Sequence, residues 1–79
     1  MNNDIEKRIF QLFSVLMDVA EEDLDKDSNP NNIEKWDSLS HIKMLMEIEA
    51  EFNIELLPEE AVEIFSINDV VKLVTSKMI

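Results

Sequence analysis

The chain has 79 residues, of which 46% are hydrophobic, and 18 acidic against 7 basic residues give it a formal net charge of −11. This length supplies one hydrophobic core, so a single domain over residues 1–79 is predicted. The acidic excess argues against nucleic acid as a partner, because phosphates require a basic surface. The absence of cysteine excludes disulfides and thiolate metal sites.

The sequence contains no apolar run approaching the ~20 residues that a membrane-spanning helix needs. Its first residues lack the basic and apolar regions of a signal peptide. We therefore expect a cytoplasmic protein with no membrane span. A strongly acidic chain is steered toward basic surfaces, so proteins with Lys and Arg patches are the expected partners.

A first helix is predicted from about Asn3 to Asp18. Asn3 and Glu6 have the spacing of a capping box, which places the start of the helix there. Apolar residues at helical spacing form one stripe along it. The stripe comprises Ile5, Ile9, Leu12, Phe13 and Leu16.

The apolar periodicity stops between Val19 and Lys35, where polar, turn-forming residues surround Pro30. Loops longer than ~12–15 residues in compact domains are uncommon and usually functional. We expect Val19, Leu24 and Ile33 to hold this loop against the core, and a short helical turn to form within it.

Three further helices are predicted. The second runs from about Ser38 to Phe52, with Asp37 or Ser38 as its N-cap. Pro58 opens a brief third helix, since proline is favoured at the first helical position. A capping-box-like segment at Ser66 opens the fourth. The predicted fold is all-α, a small up-down bundle of three main helices and one short helix, with a long loop after the first.

The second helix carries two apolar sectors when successive residues advance by about 100°. Ile42 and Met46 lie in one sector with Ala50, beside Ser38. They form either an exposed docking patch, which methionine's flexible thioether would suit, or a second buried face. Leu39, in the same sector, is expected to be partly buried. The other sector is assigned to the core and comprises His41, Met44, Leu45, Ile48 and Phe52.

Residues 36–39, Trp-Asp-Ser-Leu, start the second helix after the long acidic loop. Asp-Ser-Leu in this position resembles the attachment site of the acyl carrier proteins. The resemblance extends over Ile5–Met78. It includes the order of the helices, the distance of the serine from both ends, the segment Glu-Ala-Glu-Phe-Asn-Ile at 49–54, and the capped final helix.

This resemblance implies that Ser38 carries 4′-phosphopantetheine, which a phosphopantetheinyl transferase adds from coenzyme A. Asp37 would help to position the hydroxyl or a metal ion during transfer, and Leu39 would lie beside the attached group. The arm would carry acyl intermediates as thioesters in fatty-acid, polyketide or specialised biosynthesis. The bundle interior would shelter a short acyl chain, and the residues that supply it are Phe13, Leu16, Leu45, Ile48, Val71 and Val74.

The same resemblance implies a non-catalytic, monomeric carrier that serves the transferase and acyl-transferring or condensing enzymes with basic docking surfaces. The early second helix is usually acidic in this family, whereas His41 and Lys43 stand there in this chain. A carrier dedicated to a specialised pathway is therefore favoured, and a peptidyl or aminoacyl carrier is the alternative. The residues implied in docking are Ile42, Met46, Glu47 and Glu49.

The physical properties of a helix start give two interpretations of Ser38. The N-terminus of a helix is favourable for a phosphodiester anion, but serine is also a preferred N-cap. His41, the only histidine, is expected to be a packing residue, because a Ser–His catalytic pair needs an orienting carboxylate and an oxyanion site. Trp36 is expected to close the end of the bundle over the long loop.

A calcium-binding helical module using Asp23–Glu34 is an alternative from another class, because acidic and amide residues follow the spacing of an EF-hand loop. Ser28 stands where that loop requires glycine, and Pro30 lacks an expected N–H. A helical adaptor without a cofactor is a third alternative. The residues at ligand spacing are Asp23, Asp25, Asp27, Asn29, Asn31 and Glu34.

Overall fold

The computed structural model describes the backbone of residues 2–78 and the side chains of residues 4–78. It confirms the predicted all-α bundle of three main helices and one short helix, with the long loop after the first. No helix among the described residues is both long and apolar enough to cross a membrane. The helices are α1 (Asn2–Met17), α2 (Ser38–Phe52), α3 (Pro58–Ala61) and α4 (Ile67–Met78).

The helix α1 forms the centre of the bundle and packs against both α2 and α4. Its predicted apolar stripe faces the core: Ile9 and Phe13 are fully buried, and Ile5, Leu12 and Leu16 are partly buried against them. The capping box predicted from Asn3 lies outside the described side chains. The remaining buried core residues include Met17, Met44, Ile48, Phe52, Ile64, Ile67, Val70, Val71 and Val74.

The helices α1 and α2 end without glycine. Asp18 and Asn53, the residues that follow them, take φ values of 54° and 53°, in the left-handed region. Aspartate and asparagine tolerate this conformation better than other residues with a Cβ atom. The Asn53 N–H donates to the Glu49 carbonyl. These two polar residues therefore end the helices where most chains would use glycine.

The long loop is fixed to the rest of the bundle at both its apolar and its polar positions. Leu24 and Ile33 are buried, as predicted, and Val19 packs partly buried against the core. A 3₁₀ turn forms at Glu21–Asp23, which confirms the predicted helical turn. The loop also contacts the start of α4. Two loop carbonyls accept the N–H groups of Ile67 and Asn68, each at 3.0 Å. The loop therefore caps α4 as it leads to α2.

Candidate functional site

Ser38 is the first residue of α2, and its side chain is exposed. Its hydroxyl forms no hydrogen bond with any described residue. Asp37 takes the capping role instead, because its Oδ1 accepts the backbone N–H of Ser40 at 2.9 Å. Of the two N-caps that the sequence allows, the structure selects Asp37 and leaves the Ser38 hydroxyl free.

The Asp37 carboxylate is stabilised in its ionised form by the start of α2. The Ser40 backbone N–H that donates to it is the main reason that its pKa lies below the ordinary value of 3.8. Desolvation opposes this change, whereas the Ser40 hydroxyl and the Leu39 N–H reinforce it. Asp37 therefore places a negative charge directly beside Ser38.

Replacing Asp37 with asparagine should remove one pH-dependent contribution to stability and keep the cap, since both residues are good N-caps. A carboxyl whose pKa is lowered by folding stabilises the folded state above its unfolded pKa, and this contribution is lost as the pH falls through the folded value. We expect the free energy of unfolding of wild type, minus that of Asp37→Asn, to rise with pH across this acidic range. Urea titrations at a series of pH values measure this difference in the free energy of unfolding. A difference that stays constant or falls as the pH rises would contradict the lowered pKa of Asp37.

Trp36 and His41 form a hydrogen-bonded pair behind Ser38. Trp36 is 3% exposed and contacts the Phe13 ring edge-on with centroids 5.0 Å apart, so it closes the bundle end as predicted. Its Nε1–H donates to Nδ1 of the half-buried His41 at 3.0 Å. His41 is thus a packing histidine, as predicted, and its hydrogen bond goes to Trp36 and not to Ser38. Sequence reasoning did not foresee the pair itself.

The second apolar sector of α2 is exposed. Ile42 is 54% exposed and Met46 is 63% exposed, so this sector is an exposed face and not a second buried one. The prediction that Leu39 is partly buried was wrong, because its side chain is 62% exposed. We name Leu39, Ile42 and Met46 the α2 apolar patch. The predicted core sector is correct for Met44, Ile48 and Phe52, which are buried, while His41 and Leu45 are half-buried.

The two acidic residues assigned to docking differ in their surroundings. Glu47 is exposed on α2. Glu49 is half-buried, and its Oε2 accepts the backbone N–H of Leu56 at 2.9 Å. Glu49 therefore stabilises the link between α2 and α3, whereas Glu47 remains available to a partner.

The acidic loop uses several of its polar side chains to form its own turns. Oδ1 of Asp25 accepts the Asp27 N–H, and Oδ1 of Asn29 accepts the Asn31 N–H, each at 2.8 Å. Ser28, at the position where an EF-hand needs glycine, is buried. Across residues 4–78, no three or more histidine or acidic side chains are grouped so that they could hold a metal ion. The structure gives no support to the calcium-module alternative.

An open, mostly apolar depression of about 450 Å³ adjoins the exposed serine. It lies between the long loop and the first turn of α2. The chain matches no model of a known protein family. The site combines an exposed hydroxyl at a helix start, a neighbouring carboxylate and an adjoining apolar surface. The depression is lined by Pro30, Trp36, Asp37, Ser38, His41 and Ile42.

Proposed function

We propose that this protein is a non-catalytic acyl carrier whose Ser38 holds a 4′-phosphopantetheine arm. The observation that carries the proposal is the free, exposed Ser38 hydroxyl at the first position of α2, with the N-cap supplied by Asp37. A serine that served only as the N-cap of the helix would itself accept a backbone N–H. The Asp-Ser-Leu motif and the helix order, which resemble the acyl carrier proteins, support the same conclusion.

The residues around Ser38 fit such an attachment. The hydroxyl is exposed, so a modifying enzyme can reach it without opening the core. Asp37 is ionised and exposed beside it, which suits a carboxylate that positions the hydroxyl or a metal ion during transfer. When attached, the arm supplies a terminal thiol for thioester chemistry, a group that this cysteine-free chain does not itself contain.

The partners that we propose are a phosphopantetheinyl transferase and acyl-transferring or condensing enzymes. The α2 apolar patch lies on the same helix as Ser38 and is followed by the exposed Glu47. A partner surface with an apolar centre and a basic rim would match it, and the net charge of −11 would steer the encounter. A carrier of aminoacyl or peptidyl groups would use the same site.

Truncating the α2 apolar patch should weaken docking without unfolding the protein. For Met46→Ala we expect kcat/KM of a phosphopantetheinyl transferase for the apo-protein to fall about five- to thirtyfold, the equivalent of about 1–2 kcal/mol for an interface contact. The matched control is Val15→Ala, since Val15 is 82% exposed on α1. Equal rates for both variants would show that the patch plays no part in docking to this enzyme.

The absence of cysteine makes the proposal testable with a thiol reagent. The apo-protein contains no thiol, so any thiol that appears comes from the arm. Incubation with coenzyme A and a broad-specificity phosphopantetheinyl transferase, followed by removal of free coenzyme A, should give one reactive thiol per chain and a matching gain in intact mass. Omitting the transferase is the control. A folded chain that gains neither mass nor thiol would refute the proposed function.

A further inference from the structure

The depression beside Ser38 has a polar group that no other part of the structure uses. In the His41 imidazole, Nδ1 accepts the Trp36 Nε1–H and so carries no proton. The proton of the neutral ring is therefore on Nε2. This Nε2–H has no acceptor among residues 4–78, although the ring lines the depression. The hydrogen bond from Trp36 thus presents His41 as a donor.

His41 and Ser38 are close enough to act on one group. Residues three apart on a helix have Cβ atoms about 5–6 Å apart. Helical side chains also lean toward the N-terminus, which brings the His41 ring over the turn that contains Ser38. The contact with Trp36, two residues before Ser38, agrees with that direction. An oxygen two bonds beyond the Ser38 hydroxyl would lie within reach of the imidazole.

A phosphodiester anion attached to Ser38 would need a hydrogen-bond donor of this kind. The Ser40 N–H of the first turn of α2, which could otherwise bind an anion, is already taken by the Asp37 carboxylate. Asp37 also contributes a like charge at the same place. Lys35 is the basic residue that precedes Ser38 most closely in the sequence. Its Nζ forms an ion pair with Oδ2 of Asp18 at 3.0 Å. His41 Nε2–H is therefore a suitable neutral donor for the anion.

We infer that the depression is a subsite for the phosphate end of the arm. His41 Nε2–H donates to a phosphodiester oxygen, Trp36 fixes the imidazole tautomer, and the apolar lining takes the branched carbon segment that follows the phosphate. The inference rests on the proposed function and deepens it. It assigns His41 and Trp36, which the carrier mechanism does not otherwise use, to holding the arm against the loop side of α2.

Phosphorus NMR tests this directly, because the attached phosphodiester is the only phosphorus in the purified holo-protein. We expect its resonance to shift between wild type and His41→Phe, which keeps a ring but removes the donor. Val15→Ala is the control, since Val15 is 82% exposed on α1 and does not line the depression. It should leave the resonance unchanged. An unchanged resonance in His41→Phe, or an equal shift in both variants, would overturn the inference.

A second measurement needs no variant. In wild-type holo-protein we expect nuclear Overhauser contacts between the methyl protons of the arm and the ring protons of Trp36 or His41. These rings give unambiguous signals because the chain has one tryptophan and one histidine. Intact mass separates the two proposals: a modified chain without these contacts overturns the subsite alone, whereas a chain that is never modified overturns the carrier function and the subsite together.

Discussion

Ser38→Ala is expected to lose attachment of the arm completely while its free energy of unfolding stays within about 0.5 kcal/mol of wild type. Attachment is lost because alanine has no hydroxyl to form the phosphodiester. Stability is kept because the Ser38 side chain is exposed and Asp37 supplies the cap. Intact-mass analysis after incubation with coenzyme A and transferase measures the first effect, and urea unfolding measures the second.

The matched control for this variant is Ser40→Ala, which removes a hydroxyl from the same turn of α2 and should still be modified. If Ser38 were instead the N-cap, its replacement by alanine would cost about 0.5–2 kcal/mol. A loss of that size in Ser38→Ala, or a mass gain that persists in it, would contradict the assignment of Ser38 as the free attachment residue.

The largest expected effect on stability is that of Phe13→Ala. Phe13 is fully buried on α1 and contacts the Trp36 ring with centroids 5.0 Å apart. Removing a buried phenylalanine costs about 3–5 kcal/mol. At about 0.05–0.15 kcal/mol per residue, a chain of 79 residues has about 4–12 kcal/mol in total. We expect the free energy of unfolding of this variant to fall by about 3–5 kcal/mol, a large share of that total, as measured by far-UV circular dichroism in urea.

Val15→Ala is the control on the same helix, because Val15 is 82% exposed. It should change the free energy of unfolding by less than about 0.5 kcal/mol. The single tryptophan gives an independent readout, since loss of the Phe13 contact should also expose Trp36 to solvent. A Phe13→Ala protein as stable as Val15→Ala would contradict the position of α1 at the centre of the bundle.

The helices were predictable because each has a strong local signal. The spacing of apolar residues predicted α1 and the core sector of α2. Pro58 predicted the start of α3, and Ser66 predicted the start of α4. The Ser66 hydroxyl accepts the Asp69 N–H at 3.3 Å, and the Asp69 carboxylate accepts the Phe65 N–H at 2.9 Å. This pair confirms the predicted capping-box-like opening, although the Asp69 carboxylate accepts the N–H of Phe65 and not that of Ser66. Such signals involve residues a few positions apart, so a sequence reveals them.

The exposure of Leu39 was not predictable from the same signals. Its angular position gives the side of α2 on which it lies, but not whether another helix covers that side. In the structure α2 packs mainly against α1, and α3 has only four residues. One sector of α2 is therefore enough to bury its core residues, and Leu39 lies outside it. The packing of neighbouring helices, which sequence periodicity does not report, decides this point.

The pairing of Trp36 with His41 was missed for a related reason. Trp36 precedes α2, so helical periodicity gives no direction for its side chain. The only signal was the presence of the chain's one tryptophan and one histidine, five residues apart, on either side of a helix start. Their hydrogen bond depends on burial of the indole against Phe13, which brings together α1, the loop and α2.

The central claim, that the Ser38 hydroxyl is a covalent attachment point, is tested most directly on the protein isolated from the cells that naturally make it. Fragmentation mass spectrometry of the peptide that contains Ser38 should show a phosphopantetheine group on that residue in a substantial fraction of the chains. Native protein that carries no such group, or that carries it on another residue, would contradict the account.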